Sequence, residues 1–401
     1  MDKKTALPSY WEIKKMTEVV TWGSGGTPKA TEKSYYENGT IPWLIIGDLN
    51  DGIVNSSLSK ITELGLKNSS AKMIPVGTLL VAMYGSIGKL GITGIECCTN
   101  QAIAFAKELH GVTTKYMFYY MSMIKPKLIS MGKGGTQKNI SQSVLKSLDV
   151  VVPPIPEQER IVAKIEELFS KLDASVAELQ TAKEKLKVYR QAVLKEALSP
   201  EQGWHKYCFA DLMECVRNGY GKKPDDIGEY RILRISSVRP GKVELSDFRY
   251  NQTPFDEDDL IAENDLLFTR YNGSLEYVGV CACVPQLKEK YAYPDKIIKC
   301  TPKLKNPYHS RFLQYCMNQG EARKFIRSKI KTTSGQKGIA GSDIKKTVLW
   351  LPELPVQEKI VKMIDEKIST CDSIEQTIAT SLQQAEALRQ SILKRAFEGG
   401  L

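Results

Sequence analysis

No stretch of this 401-residue chain runs to about 18 apolar residues without interruption, so a membrane-spanning helix is not expected. Histidine is scarce. His110, His205 and His309 stand singly, without metal-ligand spacing, and surface or capping roles are expected of them. The nine cysteines are an odd number without a repeating framework, and Cys97-Cys98 and Cys281-x-Cys283 lack the spacing of zinc knuckles. Reduced thiols in a cytoplasmic protein are therefore expected. The opening MDKKTALPSYW has lysines but no apolar stretch behind them, which argues against a secretory signal.

Reaction machinery is also missing. The only Pro-Pro, Val152-Pro153-Pro154-Ile155, lacks the preceding Asn/Asp and following aromatic that mark amino-methyltransferases. Gly85-Ser-Ile-Gly-Lys89-Leu90 has the wrong glycine spacing for a phosphate loop and no Ser/Thr after its lysine. Trp22-Gly-Ser-Gly-Gly-Thr is no dinucleotide fingerprint, and the Asp225-Asp226 and Asp295 segments lack the Glu-x-Lys of metal-dependent nucleases. The chain is expected to be non-catalytic and to bind no metal or cofactor itself.

What is present is a repeat. Ile155–Leu198 recurs without gaps, 199 positions later, as Leu354–Phe397. Both copies open on proline, a Gln-Glu pair and an Ile-Val step, and both close on Arg-Gln-x-(Val/Ile)-Leu-Lys. Pro156 and Pro355 suit a first helical turn, Glu157, Glu159 and Glu358 favour the positive end of a helix dipole, and Lys394 and Arg395 favour the negative end. A 3-4 spacing runs through Ile165, Leu168, Leu172, Ser175, Leu179, Ala182, Leu186, Tyr189 and Val193, and again through Ile364, Lys367, Cys371, Ile374, Ile378, Ser381, Ala385, Leu388 and Ile392. That is a coiled-coil seam. Packing one helix antiparallel on the other, with a globule at each end, is the economical arrangement; a homodimeric coiled coil is the competing one.

The repeat continues faintly outside the helices. Gln137-Lys138-Asn139-Ile140 aligns with Gln336-Lys337-Gly338-Ile339, Lys115–Met121 with Arg311–Met317, and Met83-Tyr-Gly-Ser with Arg270-Tyr-Asn-Gly-Ser, at drifting offsets. Each module mixes short strands (Trp43–Ile46, Leu79–Met83, Arg231–Val238, Leu266–Thr269) with aromatic-rich helices (Lys115–Ile124, Ser310–Met317) and Gly/Ser/Lys loops. The expected fold is α+β: two similar modules, residues 1–154 and 199–353, each followed by a long helix, residues 155–198 and 354–401. Charge follows the same division. The net charge is +6 over residues 1–154 and +5 over 199–353, but zero and −1 over the helices. The modules carry the whole excess, as phosphate-binding bodies would.

Two modules of about 150 residues, each followed by a helix opening Pro-(Pro)-x-x-Glu-Gln-x-x-Ile, resemble the DNA specificity subunits of type I restriction-modification systems. Pro153–Ile161 and Leu354–Ile360 carry the resemblance, with Gly25-Gly-Thr-Pro28-Lys29, Ile41-Pro42-Trp43 and Gly85-Ser-Ile-Gly-Lys89 in the first module. The second module departs from it, with Tyr220-Gly-Lys-Lys-Pro224 and Asn272-Gly-Ser at those places. The resemblance implies that each module reads one half of a split site on double-stranded DNA and that the helices act as a ruler. It also implies that two modification subunits, which bind S-adenosylmethionine and methylate adenine, attach to the chain, and that separate restriction subunits cut. A coiled-coil scaffold without DNA specificity, or an enzyme with an unrecognised site, are the competing readings.

On this reading phosphates are held by Lys29, Lys89, Lys133 and Lys138 in the first module and by Lys222, Lys223, Lys331 and Lys337 in the second. Gln137, Asn139, Arg270, Asn272 and Gln336 have donors and acceptors suited to base edges, and Tyr84 and Tyr271 stand beside loop glycines where they can lie against sugars. Glu157, Gln158, Arg160, Gln357 and Lys359, at the helix starts, are the expected partner contacts.

Overall fold

A computed structural model describes residues 7–134, 138–303, 308–333 and 336–401. The chain forms two compact units, Met1–Gln180 with Ala379–Leu401, and Thr181–Ile378.

In the first unit a five-stranded sheet runs in the order Val20–Ser24, Ile103–Leu109, Leu79–Ala82, Leu90–Thr93, Gly52–Val54. All neighbours are antiparallel except the last pair. Leu79–Ala82 is apolar throughout because both faces of this central strand are covered. Leu79 and Val81 point into a core with Tyr116, Met117 and Leu128, and Leu80 and Ala82 into another with Leu44, Leu49 and Phe105. The second unit repeats the device in a four-stranded sheet, Met213–Asn218, Ile297–Pro302, Leu266–Thr269, Cys281–Cys283. Leu266 and Phe268 face a core with Phe312 and Leu313, and Leu267 faces one with Tyr293. The α+β class and the internal repeat expected from the sequence are both present.

Each unit is also closed by a two-stranded ribbon: Glu12–Lys15 pairs with Asp149–Val152, and His205–Cys208 with Val348–Leu351. The second strand of each ribbon leads into a long helix, Ile155–Ala197 or Leu354–Phe397. In the first unit Arg389 pairs with Asp173 and lies 4.5 Å over the Phe169 ring, while Arg160 donates to the Leu401 carbonyl at 3.1 Å. Higher numbers on one helix meet lower numbers on the other, so the two run antiparallel there. In the second unit Arg190 bridges Asp372 at 2.7 Å and Glu375 at 2.9 Å in the same sense.

The end of the second long helix belongs to the first unit's core. Phe397 is fully buried with its ring edge-on to Tyr116 and Tyr120, at 5.1 and 5.2 Å, and Leu393 and Ala396 are buried beside it. Leu198, at the same place in the repeat, packs against the second unit's core.

Two expectations need correction. The run Arg231–Val238 is not one strand: pairing stops at Leu233, and a 3-10 turn spans Ile235–Ser237. Serines cause the break, since the Ser237 hydroxyl donates to the Arg234 carbonyl at 2.6 Å and Ser236 pairs with Asp247, offering the backbone an alternative to the ladder. The aromatic helix of the first unit extends past Ile124 and through Pro126 to Ser130.

Candidate nucleic-acid interface

In the first unit three short segments converge on the surface. Tyr84 bridges Asn139, and Asn139 bridges Lys133 in turn, with both Lys133–Asn139 backbone bonds at 2.9 Å. The Gly85 amide donates to the Lys138 carbonyl at 3.1 Å, and the Ile140 amide to the Met83 carbonyl at 2.8 Å. Gly85 has φ +62, a conformation glycine adopts without strain. Ile140 is buried and fixes the cluster to the core, whereas Tyr84, Lys133, Lys138 and Asn139 are exposed.

The second unit builds the same object more regularly. Tyr271–Asn272, Gln336–Gly338 and Lys331–Thr333 form a three-stranded antiparallel ribbon with the middle segment central. The Ile339 amide donates to the Arg270 carbonyl at 3.0 Å, as Ile140 does to Met83, and Ile339 is buried. Register sorts the side chains. Tyr271, Gly338 and Lys331 stand opposite one another on one face, with Gln336 beside them, while Asn272, Lys337 and Thr332 share the other. Gly338 is required because a Cβ there would come within 2.4 Å of the Tyr271 ring. Arg270 lies 4.8 Å over that ring and donates to the Asp295 carbonyl at 3.2 Å.

The structure thus brings together Tyr84, Lys133, Lys138 and Asn139 in one unit, and Arg270, Tyr271, Asn272, Lys331, Gln336 and Lys337 in the other. Gln137 lies outside the described residues. Lys89 is half-buried, with its ammonium 3.4 Å from the Ile46 carbonyl. Lys29 is exposed on a separate loop and pairs with Glu32 at 3.5 Å. Lys222 and Lys223 are exposed on the segment that follows Met213–Asn218.

At the helix starts the sequence reading needs its main correction. Gln158 and Gln357 have no exposed surface, and their amides are bonded within their own units, so neither is an available partner contact. Glu157 and Arg160 pair at 2.8 Å, and the guanidinium holds the carboxyl below its usual range. Lys359 is exposed. Apolar neighbours that the sequence reading missed stand in the open: Tyr10, Ile13 (65% exposed) and Ile155 in the first unit, and Val348, Trp350 (45%) and Val356 in the second. The signal was available in the alternation of Val348–Leu351, whose Leu349 and Leu351 are buried while Val348 and Trp350 are not.

Among the described residues no group of three or more His, Cys, Asp or Glu side chains could hold a metal ion. No helix among them is long and apolar enough to cross a membrane.

The family model described as the type I restriction modification DNA specificity domain matches residues 8–184 and again 201–384. The chain belongs to this family. Its two matches coincide with the two halves of the internal repeat, so each half of this specificity chain is one copy of the domain. The chain is 29% identical to the type I restriction enzyme EcoKI specificity subunit of Escherichia coli K12, an alignment that covers 98% of this chain and 90% of that one. It is 25% identical, over the same shares, to the StySPI specificity subunit of Salmonella potsdam. A chain from a structural study of the assembly and conformational transition of a type I restriction-modification system superposes with a TM-score of 0.79 at 16% identity, covering 98% of this chain and 99% of that one. The HsdS subunit from Thermoanaerobacter tengcongensis gives 0.57 at 16%, covering 98% of each. At those identities the superpositions speak to the fold alone.

Proposed function

We propose that this specificity chain reads a bipartite sequence in double-stranded DNA, one half-site per module, and directs adenine methylation and restriction by partner subunits. Residues 1–154 and 199–353 are the two readers, and 155–198 and 354–401 the helices that carry them. The observation that supports this most is the duplicated surface ribbon, rich in amide and ammonium groups and fixed to each core by one isoleucine. A narrow polar ribbon suits the major groove, where amides and guanidinium groups discriminate base pairs. Lys133, Lys138, Lys331 and Lys337 hold phosphates beside it, while Lys29, Lys89, Lys222 and Lys223 contribute from flanking loops. Asn139, Arg270, Asn272, Gln336 and Gln137 are the groups assigned to base contacts, and Tyr84 and Tyr271 those assigned to sugars.

Two modification subunits dock, one per repeat, on the exposed apolar side chains of the two-stranded ribbons together with Glu157, Arg160 and Lys359. These subunits bind S-adenosylmethionine, and methylation of a duplex base requires its extrusion from the stack. Restriction subunits complete the assembly. Methylome sequencing of a host with and without the gene tests the reading: one split, adenine-methylated motif should disappear. If every motif persists and the chain with a modification subunit shows no sequence-dependent binding, the chain is a scaffold.

A further inference from the structure

The two glutamines that open the long helices are buried, and each does the same thing. In the first unit the Gln158 amide nitrogen donates to the carbonyls of Gly111 at 2.9 Å and Pro153 at 2.8 Å, and its oxygen accepts from the Thr113 amide at 2.9 Å. Thr113 is the N-cap of the helix Thr114–Ser130, where its hydroxyl accepts from the Tyr116 amide at 3.3 Å. In the second unit the Gln357 nitrogen donates to the Pro352 carbonyl at 2.8 Å, and its oxygen accepts from the amide of His309 at 2.9 Å. His309 is the N-cap of the helix Ser310–Asn318. One side chain in each unit therefore ties three things together: the first turn of a long helix, the strand exit just before it, and the entry to the aromatic helix.

Partly exposed ion pairs also join each module to its helix, Lys115 to Glu166 at 2.9 Å and Arg311 to Asp365 at 2.7 Å, and open to water such pairs hold an angle only weakly. The buried remainder of the attachment is apolar. Ile161, Val162 and Ile165 pack into one core and Val361 into the other. Apolar packing is non-directional, so it holds a module on the rod without dictating one angle. Hydrogen bonds do fix direction, since they weaken steeply away from linearity. A primary amide donates to two carbonyls through its nitrogen and accepts from a backbone N–H through its oxygen; a hydroxyl has one hydrogen to donate, a carboxylate accepts only, and an ammonium donates only. These groups are also shut away from water, which makes an imperfect geometry costly.

We propose that Gln158 and Gln357 are positioning residues that set the angle of each reading module on its long helix, and so the spacer length tolerated between half-sites. This rests on the two-reader function proposed above. Neither glutamine reaches the ribbons, so which bases are read is independent of them.

The test uses the assembled complex with its modification subunits. Transfer of labelled methyl groups from S-adenosylmethionine is measured on duplexes carrying the native half-sites with the native spacer or one base pair more or less. Gln158→Met and Gln357→Met should each cut the preference for the native spacer by about tenfold, the scale of a buried hydrogen-bond network lost. Discrimination against substituted half-sites should stay at the wild-type level. A Met variant that does not fold is replaced by Gln158→Asn or Gln357→Asn, which keeps the amide and loses the reach. Unchanged spacer preference, an equal loss of methylation on every spacer, or failure of both Met and Asn variants to fold would overturn the proposal, leaving these residues as fold supports only. If the wild-type complex methylates no split site at all, the two-reader function itself is wrong.

Discussion

The residues that matter most divide into those held out and those held in. Lys337 stands between Asn272 and Thr332 on one face of its ribbon, and Lys138 occupies the same place in the other copy of the repeat. Replacing either by alanine should weaken binding to all sequences and reduce the slope of log affinity against log salt by about 1, because one fewer counterion is released. A titration from low to moderate salt checks it; an unaltered slope for both variants would remove these lysines from the phosphate contacts. Phe397 is held in. Phe397→Ala leaves a cavity against Tyr116 and Tyr120 and should cost about 3–5 kcal/mol, read from chemical unfolding of the first unit. The thiols divide likewise. Burial pushes Cys97 up to about 12, Cys98 to about 11, and Cys281 and Cys300 well above the ordinary thiol value. In the folded chain near pH 8 an alkylating reagent should therefore modify the half-buried Cys208 and Cys215 first, as mass spectrometry of timed samples would show.

At the scale of elements, the long helices were legible because their repeat is gap-free and their period regular. Their seam was only partly so. Cys371, Ile378 and Val193 are buried as the period requires, but Ile374, Leu388 and Tyr189 remain about half exposed. A pair of helices covers a narrower stripe than the periodic pattern offers, and the pattern does not say which edge is left open. The strand break at Ile235–Ser237 escaped the sequence reading for a similar reason: half-buried alternation continued through residues whose hydroxyls had local partners. Lengthening the first helix by about two turns within Lys183–Lys187, with a matched insertion in the second, keeps the seam in register and should lengthen the tolerated spacer. The half-site sequences should not change. Methylation assays on a ladder of spacer lengths would show a shifted optimum; an unshifted one would separate helix length from target geometry.

For the molecule as a whole, repetition carries the argument about assembly. Exposed apolar side chains flank both helix starts, so two modification subunits should bind each chain. Mass measurement of the purified complex decides between two copies and one, and one copy would count against equivalent docking surfaces.

Duplication, the α+β class, the two long helices and the placement of the +10 net charge on the modules were set by the sequence alone, because each shows in period, composition or spacing along the chain. What tertiary structure decided was direction. It turned Gln158 and Gln357 inward to backbone groups 45 and 48 residues away, and it took Phe397 from the end of the chain into the core of the beginning. It also gathered Tyr271, Lys331 and Gln336 on one face of a ribbon. Burial depends on what folds against a residue from elsewhere, and no local pattern records that.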